Sequence, residues 1–235
     1  MSMKILSLDA SANSASVCIF DTDEDKIIGE FYINTKLTHS QTLVPMVDAL
    51  LSSTNLKLSD IDYFAVNTGP GSFTGIRIGV SVVKGMAMAL DKPCVSVSTL
   101  NSMAYNFIDS NNTVVCACMD ARRNQVYNAL FKIENGVVNR LCDDRAISVE
   151  ALLEELKDYD NVVLVGDGSP LCYSQKGDSD IQLAVPAKRY QQASSVALAA
   201  VKHINNNETL SSAALMPTYL RPSQAERERL NKEKE

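Results

Sequence analysis

Apolar and polar positions divide the 235-residue chain into two stretches with the same order of elements. The first opens on a short apolar strand, ILSLD, ending in Asp9, followed by the Ser-rich turn SANSAS. Two further strand-like runs, VCIF and KIIGEFYI, are joined by the acidic turn DTDED. A helical period then runs over about residues 39–51, and the strand YFAVN enters the Gly-rich turn TGPGS. The second stretch repeats this. VVCACMD ends in Asp120, the polar turn ARRN follows, and QVYNALFKI and VVNRL form a hairpin around Glu-Asn-Gly. The helix pattern SVEALLEELK opens on Ser148 as its N-cap, and NVVLV enters a second Gly turn, GDGSP.

Both halves therefore read βββαβα, with Asp9 matching Asp120 and the turn at 69–72 matching the turn at 166–169. Two such lobes facing a cleft describe an α/β protein of duplicated actin-like, ribonuclease-H-like (ASKHA) architecture. The expected division is an N-terminal lobe over 1–108, a C-terminal lobe over 109–216 and a segment over 217–235. Helix patterns at 75–90 and 98–106 lie between the repeats, the second near the boundary, and a last helix covers about 192–204. The terminal segment PTYLRPSQAERERLNKEKE has mixed charge and no apolar period, so it is expected to be frayed or solvated.

The most specific stretch is GPGSFTGIRIG at 69–79. A glycine-rich strand-to-helix junction can hold an anion on successive backbone N–H groups, and Gly71 and Ser72 are the residues placed to do so. A tight turn packed against the sheet is the other reading. The stretch is neither a Walker A loop nor a dinucleotide fingerprint. On the helix that follows, Arg77, Ser81 and Lys84 share one stripe. One apolar flank holds Ile76, Val80, Val83 and Ala87, the other Ile78, Val82, Gly85 and Ala89. Two apolar flanks predict burial on two sides. The first helix is similarly rich, with Leu43, Val44, Met46, Val47, Leu50 and Leu51, and Pro45 should kink it or mark its first turn. Two such helices in one lobe suggest a docking face or deep internal burial.

Composition narrows the chemistry. A net charge of −6 disfavours tight RNA binding by this chain alone, since phosphate neutralisation supplies most of that affinity. Six cysteines without a C-x-x-C pair fit a reducing cytosol. The N-terminal apolar stretch is too short for a signal peptide, and no apolar run approaches the length of a membrane span. His39 and His203 are the only histidines, and no zinc-ligand spacing accompanies them. No Ser-His-Asp or Cys-His set stands out. Asp9 and Asp120 could hold a metal–phosphate or activate water, and Arg122 and Arg123 could contact a nucleotide or a carboxylate. The turns after both aspartates lack the glycines that grip phosphate.

The motifs ILSLDAS, HSQTLVPMV, GPGSFTGIRIG, VSVSTL, MDARRNQVY and PTYLRPSQAE span almost the whole chain, and together they resemble the bacterial TsaB (YeaZ) family of tRNA threonylcarbamoyladenosine biosynthesis proteins. The resemblance implies a cytoplasmic, non-catalytic subunit of the complex that forms N6-threonylcarbamoyladenosine at position 37 of ANN-decoding tRNAs. It implies docking to and activation of a TsaD-like transferase, recruitment of a TsaE-like ATPase, and contact with tRNA only through the complex. By the same carry-over, Met46, Leu50, Ile76, Val80 and Val83 would form the partner interface, with self-pairing into a homodimer when the paralogue is absent. The anion or nucleotide contacts would be Asp9, Gly71, Ser72, Asp120 and Arg122. ATP or ADP is expected only at the complex interface, and no cofactor or metal on this chain alone. TsaD relatives carry two His four apart at the start of the first helix, whereas Leu43 follows His39 here, so a TsaD-type metal site is not expected. An autonomous ATP-dependent small-molecule kinase of actin-like fold is the alternative, and a metallopeptidase lacks its ligands.

Overall fold

A computed structural model describes residues 3–35 and 37–221 of the chain. In the first lobe, β1 (Lys4–Asp9), β2 (Ser14–Asp21) and β3 (Lys26–Asn34) form an antiparallel meander. Then follow α1 (His39–Thr54), β4 (Tyr63–Gly69), α2 (Phe73–Leu90), β5 (Cys94–Ser98) and α3 (Thr99–Ala104). The sheet order is β3-β2-β1-β4-β5, with β4 parallel to both β1 and β5. The second lobe contains β6 (Thr113–Asp120), β7 (Gln125–Glu134), β8 (Val137–Arg140), β9 (Arg145–Ser148), α4 (Val149–Glu155), β10 (Val162–Val165), α5 (Ser169–Ser174) and β11 (Gln182–Leu183). The short α6 (Pro186–Arg189) and α7 (Ala193–Asn205) complete it. Its order, β11-β10-β6-β7-β8 with β9 also on β7, is that of the first sheet. The duplicated actin-like α/β fold is therefore present, and each repeat is longer than βββαβα. A fifth strand (β5, β11) and a further helix (α3, α7) close each one.

Local chemistry sets these elements. The β7–β8 hairpin turns on Asn135 and Gly136, both in the left-handed region, as a two-residue hairpin of this hand requires. The Ser148 hydroxyl accepts the Ala151 N–H at the start of α4. Pro45 lies inside α1, past its first turn and on the solvent side, where it removes one i→i−4 hydrogen bond.

Strands β1 and β6 are buried on both faces, which is why they read as continuous apolar runs. Leu6 and Leu8 face α1 and α2, in one cluster with Val17, Ile19, Leu43 and Val80. The opposite face of the first sheet supplies Ile5, Ala65, Val95 and Val97 to a central cluster. This also takes Leu100 and Met103 of α3, Val196, Ala197 and Ala200 of α7, and Val115, Ala117 and Phe131 of the second sheet. A third cluster packs β6 and β10 against α4 and α5, with Cys116, Cys118 and Cys172 inside it as free thiols. Helices α3 and α7 are thus sandwiched between the two sheets. Helix α7, expected with residues 109–216, packs against β1, β2 and β5 of the first lobe, and Glu30 of β3 accepts the Ser194 N–H near its start at 2.9 Å.

Two expectations are corrected here. Met46, Leu50, Ile76, Val80 and Val83 are at most 8% exposed and belong to the core between α1, α2 and the first sheet. Their spacing marks the inward face of each helix, so none offers a surface to a partner. The outward residues of the same helices include Val44, 57% exposed, and Met88, 73% exposed. Ile78, Val82 and Met86 are half-buried beside them, and Gly85 and Ala89 are open.

The second correction concerns the C-terminal segment, of which residues 217–221 are described and the rest lies outside the described residues. After α7 the chain returns to the first lobe as a strap. Leu210 and Cys94 exchange backbone hydrogen bonds of 2.8 Å, extending the sheet beyond β5. Leu215 is fully buried in the α1–α2 core, and Thr218 N–H reaches the Thr68 carbonyl at 2.8 Å. The polar stripe of α2 anchors this strap. Lys84 Nζ donates to the carbonyls of Ala213 and Leu215, and Arg77 Nε donates to the Tyr219 hydroxyl at 2.7 Å. By length and composition alone α2 could cross a membrane, yet one flank is core and its stripe holds the strap. Leu215→Ala is expected to cost about 2–4 kcal/mol of stability, read as a lowered denaturant midpoint in equilibrium unfolding.

Candidate functional site

The strand ends Asp9 and Asp120, with the loops that follow them, converge on a cleft of about 470 Å³ between the lobes. Ser11, Gly71, Ser72 and Phe73 line it from the first lobe, and Met119, Asp120, Arg122, Tyr127 and Asp167 from the second. Four of the residues expected to touch an anion, Gly71, Ser72, Asp120 and Arg122, are thus brought together. Asp9 is not among the lining residues. It lies fully buried, its carboxylate accepting from Ser11 N–H (3.2 Å), Ser11 Oγ (2.8 Å) and Asn67 Nδ2 (2.6 Å). Burial raises its pKa, and the Asn67 and Ser11 hydrogen bonds work against that shift. Asn67 also donates to Ser102 on α3 at 2.9 Å, so Asp9 organises an internal polar network.

The glycines of both turns are explained by contact of the chain with itself. A Cβ on Gly71 would lie 2.3 Å from the Ser11 carbonyl, and one on Gly75 would lie 2.0 Å from the Ala10 carbonyl. The Ser72 N–H is already donated to the Ser11 carbonyl at 2.7 Å, and the Ser72 hydroxyl caps the Gly75 N–H. The second lobe repeats the device. Gly166 would place a Cβ 2.1 Å from the Cys118 carbonyl, and Gly168 N–H donates to that carbonyl at 3.0 Å. Of the two readings of the Gly-rich junction, close strand-to-helix packing accounts for these glycines.

Asp120 is exposed. It accepts the Arg122 N–H at 2.7 Å and pairs with the Arg122 guanidinium at 3.5 Å. Its own N–H donates to Asp167 Oδ1 at 3.2 Å. Burial first, and the charge of Asp120 second, push the Asp167 carboxyl up to about 6, against backbone hydrogen bonds that lower it. Sequence reasoning passed over Asp167, although it sits in the Gly turn already matched to 69–72. The turn after Asp120 runs through Arg122, Arg123 and Asn124, all three in the left-handed region. The glycine-type conformation is kept there without glycine, at about 1 kcal/mol or more per residue.

This arrangement suits a polyphosphate poorly. Two carboxylates face the space where phosphate would sit, one turn has spent its Ser72 N–H internally, and Asp9 is sealed below. His39 holds the Ala12 carbonyl through Nε2 at 2.7 Å, and Leu43, one helical turn on, is core. Among the described residues no group of three or more His, Cys, Asp or Glu is disposed to hold a metal ion.

Duplicated sheets around an inter-lobe cleft place the protein in the actin-like class. The family model described as TsaD, tRNA N6-adenosine threonylcarbamoyltransferase, matches residues 26–229. The TsaB protein of Bacillus subtilis is 35% identical over 162 residues, 69% of each chain. That of Haemophilus influenzae is 29% identical over 231 residues, covering 93% of this chain and 94% of its own. The solved structure of YeaZ from Pseudomonas aeruginosa superposes with a TM-score of 0.78 at 26% identity, covering 93% of this chain and all of that one. The chain belongs to the TsaB (YeaZ) family of tRNA threonylcarbamoyladenosine biosynthesis proteins, within the reach of the TsaD family model.

Because the native carboxyl of Asp167 titrates above its unfolded value of about 4, its contribution to stability is present below pH 4 and is lost as the pH rises through about 6. Asp167→Asn is therefore expected to be more stable than the parent by about 1–2 kcal/mol at pH 7–8, discounted for partial exposure. The difference should vanish near pH 4, read from urea midpoints across that range.

Proposed function

We propose that this chain is a non-catalytic partner subunit of the cytoplasmic assembly that forms N6-threonylcarbamoyladenosine at position 37 of ANN-decoding tRNAs. It docks and activates a TsaD-like transferase and helps to recruit a TsaE-like ATPase. The observation that carries this reading is the pairing of a cleft unsuited to polyphosphate with an apolar outer face on α1 and α2 that no other part of the described chain covers. On this reading a nucleotide belongs at the interface with the partners and not in this chain's own cleft.

The docking residues of the proposal are the outward ones, Val44, Ile78, Val82, Gly85, Met88 and Ala89. Gly85 is the informative one. A Cβ there would meet nothing within 4 Å, so the fold itself gives no reason for a glycine in mid-helix, where it costs about 1 kcal/mol relative to alanine. Close approach of a second helix is a reason. Two apolar helices of one lobe suit a partner of the same architecture, whose equivalent helices would pack against them.

Co-expression with a TsaD-like protein followed by size-exclusion chromatography tests the proposal. The parent chain should elute with the partner. Gly85→Glu should unfold at the same temperature as the parent or slightly higher, since glutamate favours helix, yet should elute alone. A variant that still co-elutes with the partner would refute docking through this face.

A further inference from the structure

The mouth of the cleft gathers arginine and aromatic side chains that docking through α1 and α2 does not use. On the first-lobe side the Arg77 guanidinium lies 3.9 Å over the Phe73 ring, and Phe73 stacks on Tyr219 with centroids 4.8 Å apart. Tyr219 is 41% exposed, with the Arg77 guanidinium also 5.8 Å from its ring. On the second-lobe side Arg221 lies 5.8 Å over the Tyr127 ring and donates to Gln125 at 2.8 Å. The left-handed turn beside them carries Arg122 and Arg123 at the surface, with the Arg122 side chain 87% exposed. Phe73, Arg122 and Tyr127 line one cleft; Arg77 and Tyr219 pack on the first of these, Arg221 lies over the third, and Arg123 follows the second in the chain.

The negative charge there is smaller and partly matched. Asp120 is paired with Arg122, and Asp167 is the other lining carboxylate. Arg77, Arg123 and Arg221 form no ion pair among the described residues. Local charge can therefore oppose the net −6 of the chain. Planar guanidinium groups hold phosphate oxygens, and a part-exposed aromatic ring can stack an unpaired base. A duplex presents phosphates but no base face, so the combination selects an unpaired strand.

We propose that this opening is a contact site for single-stranded RNA, with Tyr219 stacking a base and Arg122, Arg123 and Arg221 holding the adjacent phosphates. The proposal rests on the reading of the chain as a subunit of a tRNA-modifying assembly. The site lies at the start of α2, and the proposed docking flank lies further along the same helix, so an RNA loop held here would sit at the margin of the partner interface. The contact is weak by itself, in keeping with the acidic chain, and gains strength when the partner holds the rest of the RNA.

Fluorescence anisotropy of a labelled RNA stem–loop, titrated with the full chain at low salt, tests it. The doubly substituted Arg122→Glu/Arg123→Glu chain should bind about tenfold more weakly and lower the slope of log affinity against log salt by about 2. Tyr219→Ala should weaken binding about fivefold or more, while Tyr219→Phe, which keeps the ring, should bind as the parent does. A parent chain that does not bind, variants that bind like the parent, or a blunt RNA duplex bound as tightly as the stem–loop would each overturn the proposal. Co-elution with the TsaD-like protein is measured on the same variants. Intact pairing with lost RNA binding supports this site. A parent chain that fails to pair refutes the docking reading and leaves the RNA titration to decide this one.

Discussion

The Ser7 hydroxyl, in the middle of β1, donates to the carbonyl of Ala193 at 2.7 Å, a contact between residues 186 positions apart. It marks the constraint on which the structure depends, the seating of α7 on the first sheet. Around it Ile5, Val97, Val196 and Ala200 join residues of both sheets in one central core. In a protein whose two lobes open and close, the lobe boundary must be able to slide. Here it is filled with buried side chains, and relative motion of the sheets would open voids in that core. The strap adds a second tie, from Leu215 in the first core to Arg221 against Gln125.

The chemistry of the cleft has been turned inward to the same end. The backbone beside the Gly turns is presented to the chain itself. Ser11 and Ala10 carbonyls fill the spaces at Gly71 and Gly75, and the Cys118 carbonyl fills that at Gly166. Asp9 keeps its place at the end of β1, but its partners are Ser11 and Asn67. What remains exposed at the cleft, Asp120 with Arg122, is a surface pair and contributes little to stability. The geometry of these turns serves packing.

The duplication was legible because both sheets are read by short apolar runs ending in aspartate, and because Gly turns punctuate each repeat. The hairpin at Asn135–Gly136 and the cap at Ser148 were local and therefore visible. The fifth strands were harder. β5 is five residues and β11 only two, too short for a period to declare itself. Helix apolarity was read correctly in amount but not in direction. Ile76, Val80 and Val83 recur because the sheet demands them, and periodicity alone cannot say which of two apolar flanks faces inward. The stripe of Arg77 and Lys84 was visible, but not what it holds, since its partners Tyr219 and the Ala213 and Leu215 carbonyls lie more than 120 residues away. Asp167 needed the pairing of Gly turns to be followed one residue further.

The path of the strap bears on how the molecule comes into being. The first lobe is synthesised first, yet its core lacks Leu215, the edge of β5 lacks Leu210, and its inner face lacks α7 until residues 193–215 have been made. Domains commonly fold in the order in which they leave the ribosome. Here the first strands wait uncovered for residues 193–215. A chain truncated before residue 193 would have a first lobe with a bare sheet edge and an open core, a product disposed to aggregate or be degraded.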